Sequence, residues 1–321
     1  MTTRCLSEAA PGPSGPRVLR TYAHDRFVFP LPPGHRFPLS KYALTRDRVA
    51  LLPDVTILEA EPVGWDEIAL VHDREWVRRL RYGLLDRREL RGLGLPWSPA
   101  LATRARYTAG STRAACVAAR ADGVAAALGG GMHHAGRRRG RGYCYVNDVA
   151  IAIALARRDG VAGQILILDL DVHQGDGNAE IFADDPTVTV VSLHGARNYP
   201  FPKLASDLDV ELPDGLGDDG YLSALDGALE ATVRGRSFVL AFLLAGADPW
   251  TADALGRLAL TKDGLRARDR MALLSLADAS SATVITLAGG YGVPIDGTAD
   301  IHAATVEEAA RLRRGLQAAP G

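Results

Sequence analysis

The chain has 321 residues, 47% apolar and 23% charged, with 37 Lys and Arg against 38 Asp and Glu for a net charge of −1. That balance gives no global attraction for nucleic acid, and no run approaches the ~18 consecutive apolar residues of a membrane span. Cys5, Cys116 and Cys144 are odd in number and lack a C-x-x-C pair, which argues against a disulfide framework and a cysteine zinc site.

Free thiols suit a reducing cytoplasm, and the stretch around Arg4 and Glu8 has no apolar core of a secretory signal. Residues 1–17, with Pro11, Gly12, Pro13, Ser14, Gly15 and Pro16, are expected to form a disordered leader ahead of one domain over 18–321. Pro- and Gly-rich stretches at 30–38, 92–99 and 211–220 are loop-length interruptions, too short for linkers. Ser98-Pro99 reads as an N-cap with Pro at the first helical position. The Ala-rich segment 100–128 then reads as one long helix, or two broken near Gly110, ended by the run Gly129–Ala135. Asn147-Asp148 caps a further helix to about Arg158. Apolar runs at Ile165–Leu168, Val188–Val191, Phe238–Leu244 and Val284–Leu287 alternate with helical stretches at 178–183, 219–232, 264–279 and 299–315. Continuous apolar strands between helices predict an α/β fold whose parallel sheet is covered on both faces. In such sheets the ligand site lies beyond the carboxyl ends of the strands.

Each apolar run leads directly into polar residues: Asp169 to Gly177, Ser192-Leu193-His194, Gly246-Ala247-Asp248-Pro249 and Gly289-Gly290-Tyr291. Alternation along an extended segment puts Asp169, Asp171 and His173 on one face. Two carboxylates and an imidazole held together need a cation to offset their repulsion and desolvation. An oxygen and nitrogen donor set without thiolate suits zinc, or iron(II) or cobalt(II) by the same geometry, and Asp248 is the natural third ligand. A Gly-rich backbone over Gly129–Gly131 can aim both His133 and His134 inward. Asp169 and Asp176 are the candidate carboxylates to fix their tautomers. Tyr291 can donate a hydrogen bond to a developing oxyanion. His24, His35, His72 and His302 read as ordinary core or surface residues, and Arg137, Arg138, Arg139 and Arg141 as a solvated loop, the alternative being a rim that attracts acidic substrates or a phosphorylated cofactor.

These motifs, together with the run Gly142 to Asp148, closely resemble the zinc-dependent histone deacetylase family, which includes bacterial acetylpolyamine amidohydrolases and acetoin-utilisation proteins. Phe29 to Leu44, Trp97 to Ala100 and Gln174 look most like its class IV and related bacterial branch. The resemblance covers about residues 20–315. It implies an arginase–deacetylase fold, a single domain with a parallel sheet of about eight strands sandwiched between helices. It further implies that Asp171, His173 and Asp248 bind zinc. His133 and His134, partnered by Asp169 and Asp176, match the family's tandem active-site histidines. By the same resemblance Tyr291 matches the oxyanion-stabilising tyrosine, and Gly142, Tyr143 and Phe201 match the tunnel walls. Asp169, Asp171, His173, Ser192 and Leu193 correspond to a structural potassium site, in part through backbone oxygens.

The expected activity is metal-assisted hydrolysis of acyl groups from lysine side chains of proteins or peptides. His134 is favoured as general base, His133 acts electrostatically, and either can protonate the leaving amine. Deacetylation of small acylated amines such as acetylpolyamines is the alternative within the same chemistry. A non-catalytic acyl-group binding protein would lack one of these groups, and an arginase-type enzyme would need further carboxylate ligands for two manganese ions. No nucleic-acid or membrane partner is expected, and the sequence leaves the oligomeric state open.

Overall fold

The computed structural model describes residues 18–316; the expected leader at 1–17, with Cys5, lies outside the described residues. Within them the strands are β1 (Leu19–Ala23), β2 (Val55–Glu59), β3 (Val124–Ala127), β4 (Ile165–Asp169), β5 (Val188–Gly195), β6 (Leu208–Leu212), β7 (Leu240–Ala245) and β8 (Thr283–Leu287). The helices are α1 (Ser40–Val49), α2 (Trp65–Ile68), α3 (Arg74–Tyr82), α4 (Arg87–Leu93), α5 (Pro99–Asp122), α6 (Asp148–Arg158), α7 (Asp176–Phe182), α8 (Asp218–Thr232), α9 (Lys262–Ala279) and α10 (Ile295–Leu316).

The strands form one eight-stranded sheet in the order β2-β1-β3-β8-β7-β4-β5-β6. Every pairing is parallel. Alternation along the central strands divides the core in two. Ile165, Ile167, Phe242 and Leu244 pack with α5 and α6 on one face. Leu166, Leu168, Ala241 and Leu243 pack with α8, α9 and α10 on the other. Burial on both faces is why these strands read as unbroken apolar runs.

Local signals mark several boundaries. The Ser98 hydroxyl accepts from Leu101 N at 3.1 Å, with Pro99 opening α5. Asn147 Oδ1 accepts from Ala150 N at 2.9 Å at the start of α6. Two elements differ from the expected ones. The helix α5 runs unbroken through Gly110 but stops at Gly123, and the residues Val124–Ala127 that follow are strand β3, not helix. Alanine favours helix intrinsically, but here β3 is flanked by β1 and β8, and ladder pairing with complete burial decides its conformation. Phe238 lies just outside β7, in an isolated bridge to Ser280.

Candidate metal centre and active site

The carboxyl ends of β3, β4, β5, β7 and β8 converge on a cavity of about 460 Å3 lined by His133, His134, Gly142, Tyr143, Asp171, His173, Tyr199, Phe201, Asp248 and Tyr291, among others. Beyond Asp169 the chain leaves the strand in a series of bends. Strand alternation therefore does not gather the Asp169–His173 groups. A ladder of side-chain to backbone bonds does: Asp171 N donates to Asp169 Oδ1 at 3.2 Å, and His173 N donates to Asp171 Oδ1 at 3.0 Å.

Asp171, His173 and Asp248 each direct a donor atom to one point, with all three atoms within 4.8 Å of one another. His173 Nδ1 lies 3.0 Å from Asp171 Oδ1 and 3.3 Å from Asp248 Oδ2. Asp248 Oδ1 accepts from Val172 N at 2.9 Å. Its Oδ2, although buried, meets no donor in hydrogen-bond geometry. Burial and the neighbouring Asp171 charge push the Asp248 carboxyl up to about 7. Burial opposes charge on His173, but Asp171 and Asp248 overcome it and raise the imidazole to about 10. A buried O, N, O triad with an orphaned carboxylate oxygen fits a divalent cation. The approach of β8 is also shaped to it. A Cβ on Gly289 would lie 2.0 Å from Asp248 Oδ2 and 2.4 Å from Asp171 Oδ2, and its bare amide instead donates to Asp171 Oδ2 at 2.7 Å.

The tandem histidines are both turned into the cavity by the left-handed turn at Gly130 and Gly131 (φ 99° and 63°), leaving their ring centroids 4.1 Å apart. His133 Nδ1 lies 2.7 Å from Asp169 Oδ2, and His134 Nδ1 lies 2.6 Å from Asp176 Oδ1. Their environments diverge. Burial disfavours charge on His133, yet Asp169 and Asp171 raise it to about 9. Burial, then the positive charge of His133 and His173, holds His134 well below the ordinary imidazole range. Asp148 braces the turn, its carboxylate accepting from Gly131 N (3.1 Å), Met132 N (2.8 Å) and the Thr112 hydroxyl (2.5 Å). Asp148→Ala would strand these buried donors. It is expected to lower unfolding free energy by about 2–4 kcal/mol, measured by denaturant titration.

Tyr291 lines the cavity with its ring 5.8 Å from that of Tyr143 and 5.2 Å below Lys41 Nζ. Burial, then the phenol of Tyr42 and the carboxylate of Asp171, raises its phenol well above the usual range. Phe201 lines the rim and is 66% exposed, whereas Tyr199 meets the His134 ring edge-on at 5.0 Å. Of the residues expected at a potassium site, Asp169 pairs with Ser192 across β4 and β5, and the Ser192 hydroxyl lies 2.9 Å from His194 Nδ1.

Several contributors escaped the sequence reading. Asp253 Oδ2 accepts from Tyr291 N at 2.6 Å and Oδ1 from Leu255 N and Gly256 N, so it fixes the backbone that carries the tyrosine. Arg268, fully buried on α9, donates to Leu170 O (3.2 Å) and Gly246 O (2.8 Å), joining the two loops that bear Asp171 and Asp248. The expected solvated loop is turned inward in part. Arg139 and Arg141 pair with Asp176, Arg139 also with Glu180, and Arg137 donates to Val71 O and Ile181 O, while Arg137 and Arg138 both stay exposed to solvent. These pairings join residues far apart in sequence and leave no local signature, although two arginines beside the histidine motif were a usable hint. His72, as expected, is structural: its ring bridges Gly136 O and Asn147 N.

Residues 34–308 match the model of a histone deacetylase domain. An uncharacterized protein of Picosynechococcus sp. is 40% identical over 276 residues, covering 84% of this chain and 90% of that protein. Histone deacetylase 2 of Arabidopsis thaliana is 33% identical over 189 residues, covering 58% of this chain and 49% of that protein, so the alignment spans about half of that named relative. The crystal structure of a histone deacetylase homologue from Aquifex aeolicus shares the fold at a TM-score of 0.75 and 24% identity, covering 91% of this chain and 84% of that one.

Proposed function

The chain belongs to the histone deacetylase family, and from that premise we propose that it is a zinc-dependent amidohydrolase removing acetyl or other acyl groups from lysine side chains of proteins or peptides. One observation carries this reading: a buried Asp171, His173, Asp248 triad opens on the same cavity as His133, His134 and Tyr291. A binding module would have no use for a metal triad, a pair of carboxylate-linked histidines and a phenol together.

Asp171, His173 and Asp248 would hold the ion. When bound, it supplies Lewis acidity that polarises an amide carbonyl and acidifies water. His134 is the general base. Its depressed proton affinity keeps the ring neutral, and Asp176 holds the Nδ1 proton so that Nε2 is free to accept another. His133, charged between Asp169 and Asp171, stabilises negative charge as it develops, and either histidine can return a proton to the departing amine. The Tyr291 hydroxyl donates to the acyl oxygen as that oxygen becomes negative. Gly142, Tyr143, Tyr199 and Phe201 enclose the alkyl stem. Asp169, Asp171, His173, Ser192 and Leu193 would hold a structural potassium ion. No helix among the described residues is long and apolar enough to cross a membrane. The buried free thiols of Cys116 and Cys144 suit the cytoplasm we assign.

The test is hydrolysis of acetyl-lysine peptides by the purified protein. Activity should vanish on chelation and return with zinc, iron(II) or cobalt(II). Hydrolysis that survives complete metal removal would sink the metal mechanism.

A further inference from the structure

The charge at the cavity mouth differs from that of the whole chain. Among the described residues, no acidic side chain apart from Asp171 and Asp248 lines the cavity, whereas Lys41, Arg197 and Arg257 do. Lys41 is buried and committed to Ala288 O (3.2 Å) and Gly290 O (3.4 Å). The two arginines stand at the entrance, with side chains 75% and 52% exposed. They share a single carboxylate, Asp214, at 3.6 Å and 3.2 Å. Two guanidiniums on one carboxylate leave a net positive charge at the mouth. The other cations nearby do not add to it in the same way. Lys203 turns to Asn198 O and Pro200 O of its own loop, and Arg139 and Arg141 are engaged with Asp176.

The pair is also held in position. Arg197 follows β5 and Arg257 follows β7, and the Asn198 side chain donates to Leu255 O at 2.9 Å, tying one loop to the other. Phe201, on the same loop as Arg197, offers an exposed apolar face beside them. An acylated lysine nitrogen is neutral, so charge discrimination must act on the groups flanking it. Fixed charges at a cavity entrance attract or repel such flanks and change encounter and KM more than the chemical step.

We propose that Arg197 and Arg257 make this enzyme select acyl-lysine in acidic peptide sequence and disfavour polycationic acyl-amines. The proposal rests on the deacylase reading above and specifies its substrate class. It is tested with the metal-loaded full chain on peptides of equal length, each with one acetyl-lysine flanked by Asp and Glu, by neutral residues, or by Lys and Arg, and with an acetylated polyamine. We expect kcat/KM to fall from acidic to neutral to basic, with about tenfold between the extremes at low ionic strength, mostly in KM, and a smaller span at high salt. The double variant Arg197→Glu, Arg257→Glu should invert the order. If it fails to fold by circular dichroism, Arg257→Gln should narrow the span instead. Equal kcat/KM across the series, a preference for basic flanks, or an order untouched in the variants overturns the proposal. Binding of the same peptides, followed by fluorescence anisotropy, separates the two claims. Charge-ordered binding without hydrolysis overturns the deacylase reading and leaves the selection standing; hydrolysis without charge order does the reverse.

Discussion

Tyr291→Phe is expected to lower kcat by about 10²–10³ while the protein keeps its fold and its metal, the typical consequence of removing one oxyanion donor. The substitution deletes a single oxygen. The ring, packed against Tyr143 and beneath Lys41, stays, and so does the backbone bond from residue 291 to Asp253. Burial raises the phenol well above its ordinary range, so in the wild type it remains a protonated donor throughout neutral and mildly alkaline pH. The measurement is steady-state kinetics on an acetyl-lysine peptide beside elemental analysis of the same preparation. The loss should fall on kcat, because the interaction strengthens as the acyl oxygen gains charge. Activity within a few-fold of wild type would remove the tyrosine from the mechanism.

Asp248→Ala should abolish both metal retention and activity. Asp248 is fully buried, its Oδ2 has no hydrogen bond to satisfy it, and among the described residues the three-ligand cluster at this site includes it. Asp248→Asn is the sharper variant. It preserves volume and the acceptor for Val172 N but removes the negative charge, and it should still weaken zinc affinity by more than about tenfold. Calorimetric titration of zinc into the metal-free protein gives the affinity directly. Wild-type affinity in the Asn variant would mean that Asp248 is not a ligand.

Much of this arrangement was legible in the sequence because contrast was high. Strands buried on both faces leave no room for polar residues, so Asp169, Ser192, Asp248 and Tyr291 stand out where those strands end. The Gly-rich histidine motif was equally plain. Other elements gave weaker signals. Strand β1, with Arg20 and Thr21, and the half-exposed edge strands β2 and β6 mix polar and apolar positions. In β3 an alanine run spells helix until its neighbours pair with it. The bracing groups Asp253 and Arg268 could not be found by local pattern. A charged residue on a helix or loop reads as surface unless its distant partner is known, and Arg268 reaches back to Leu170, at a sequence separation of 98.

The position of β8 bears on how the protein is made. It comes last among the described strands, yet it sits at the middle of the sheet, between β3 and β7. On the ribosome, Asp171, His173 and Asp248 emerge well before Thr283 does. Until β8 arrives, β3 and β7 present bare hydrogen-bonding edges to the cell, an open invitation to pair with another polypeptide. Synthesis that halts early would therefore yield a sticky fragment, and the proposed site would be assembled only when β8 closes the gap and brings in Tyr291.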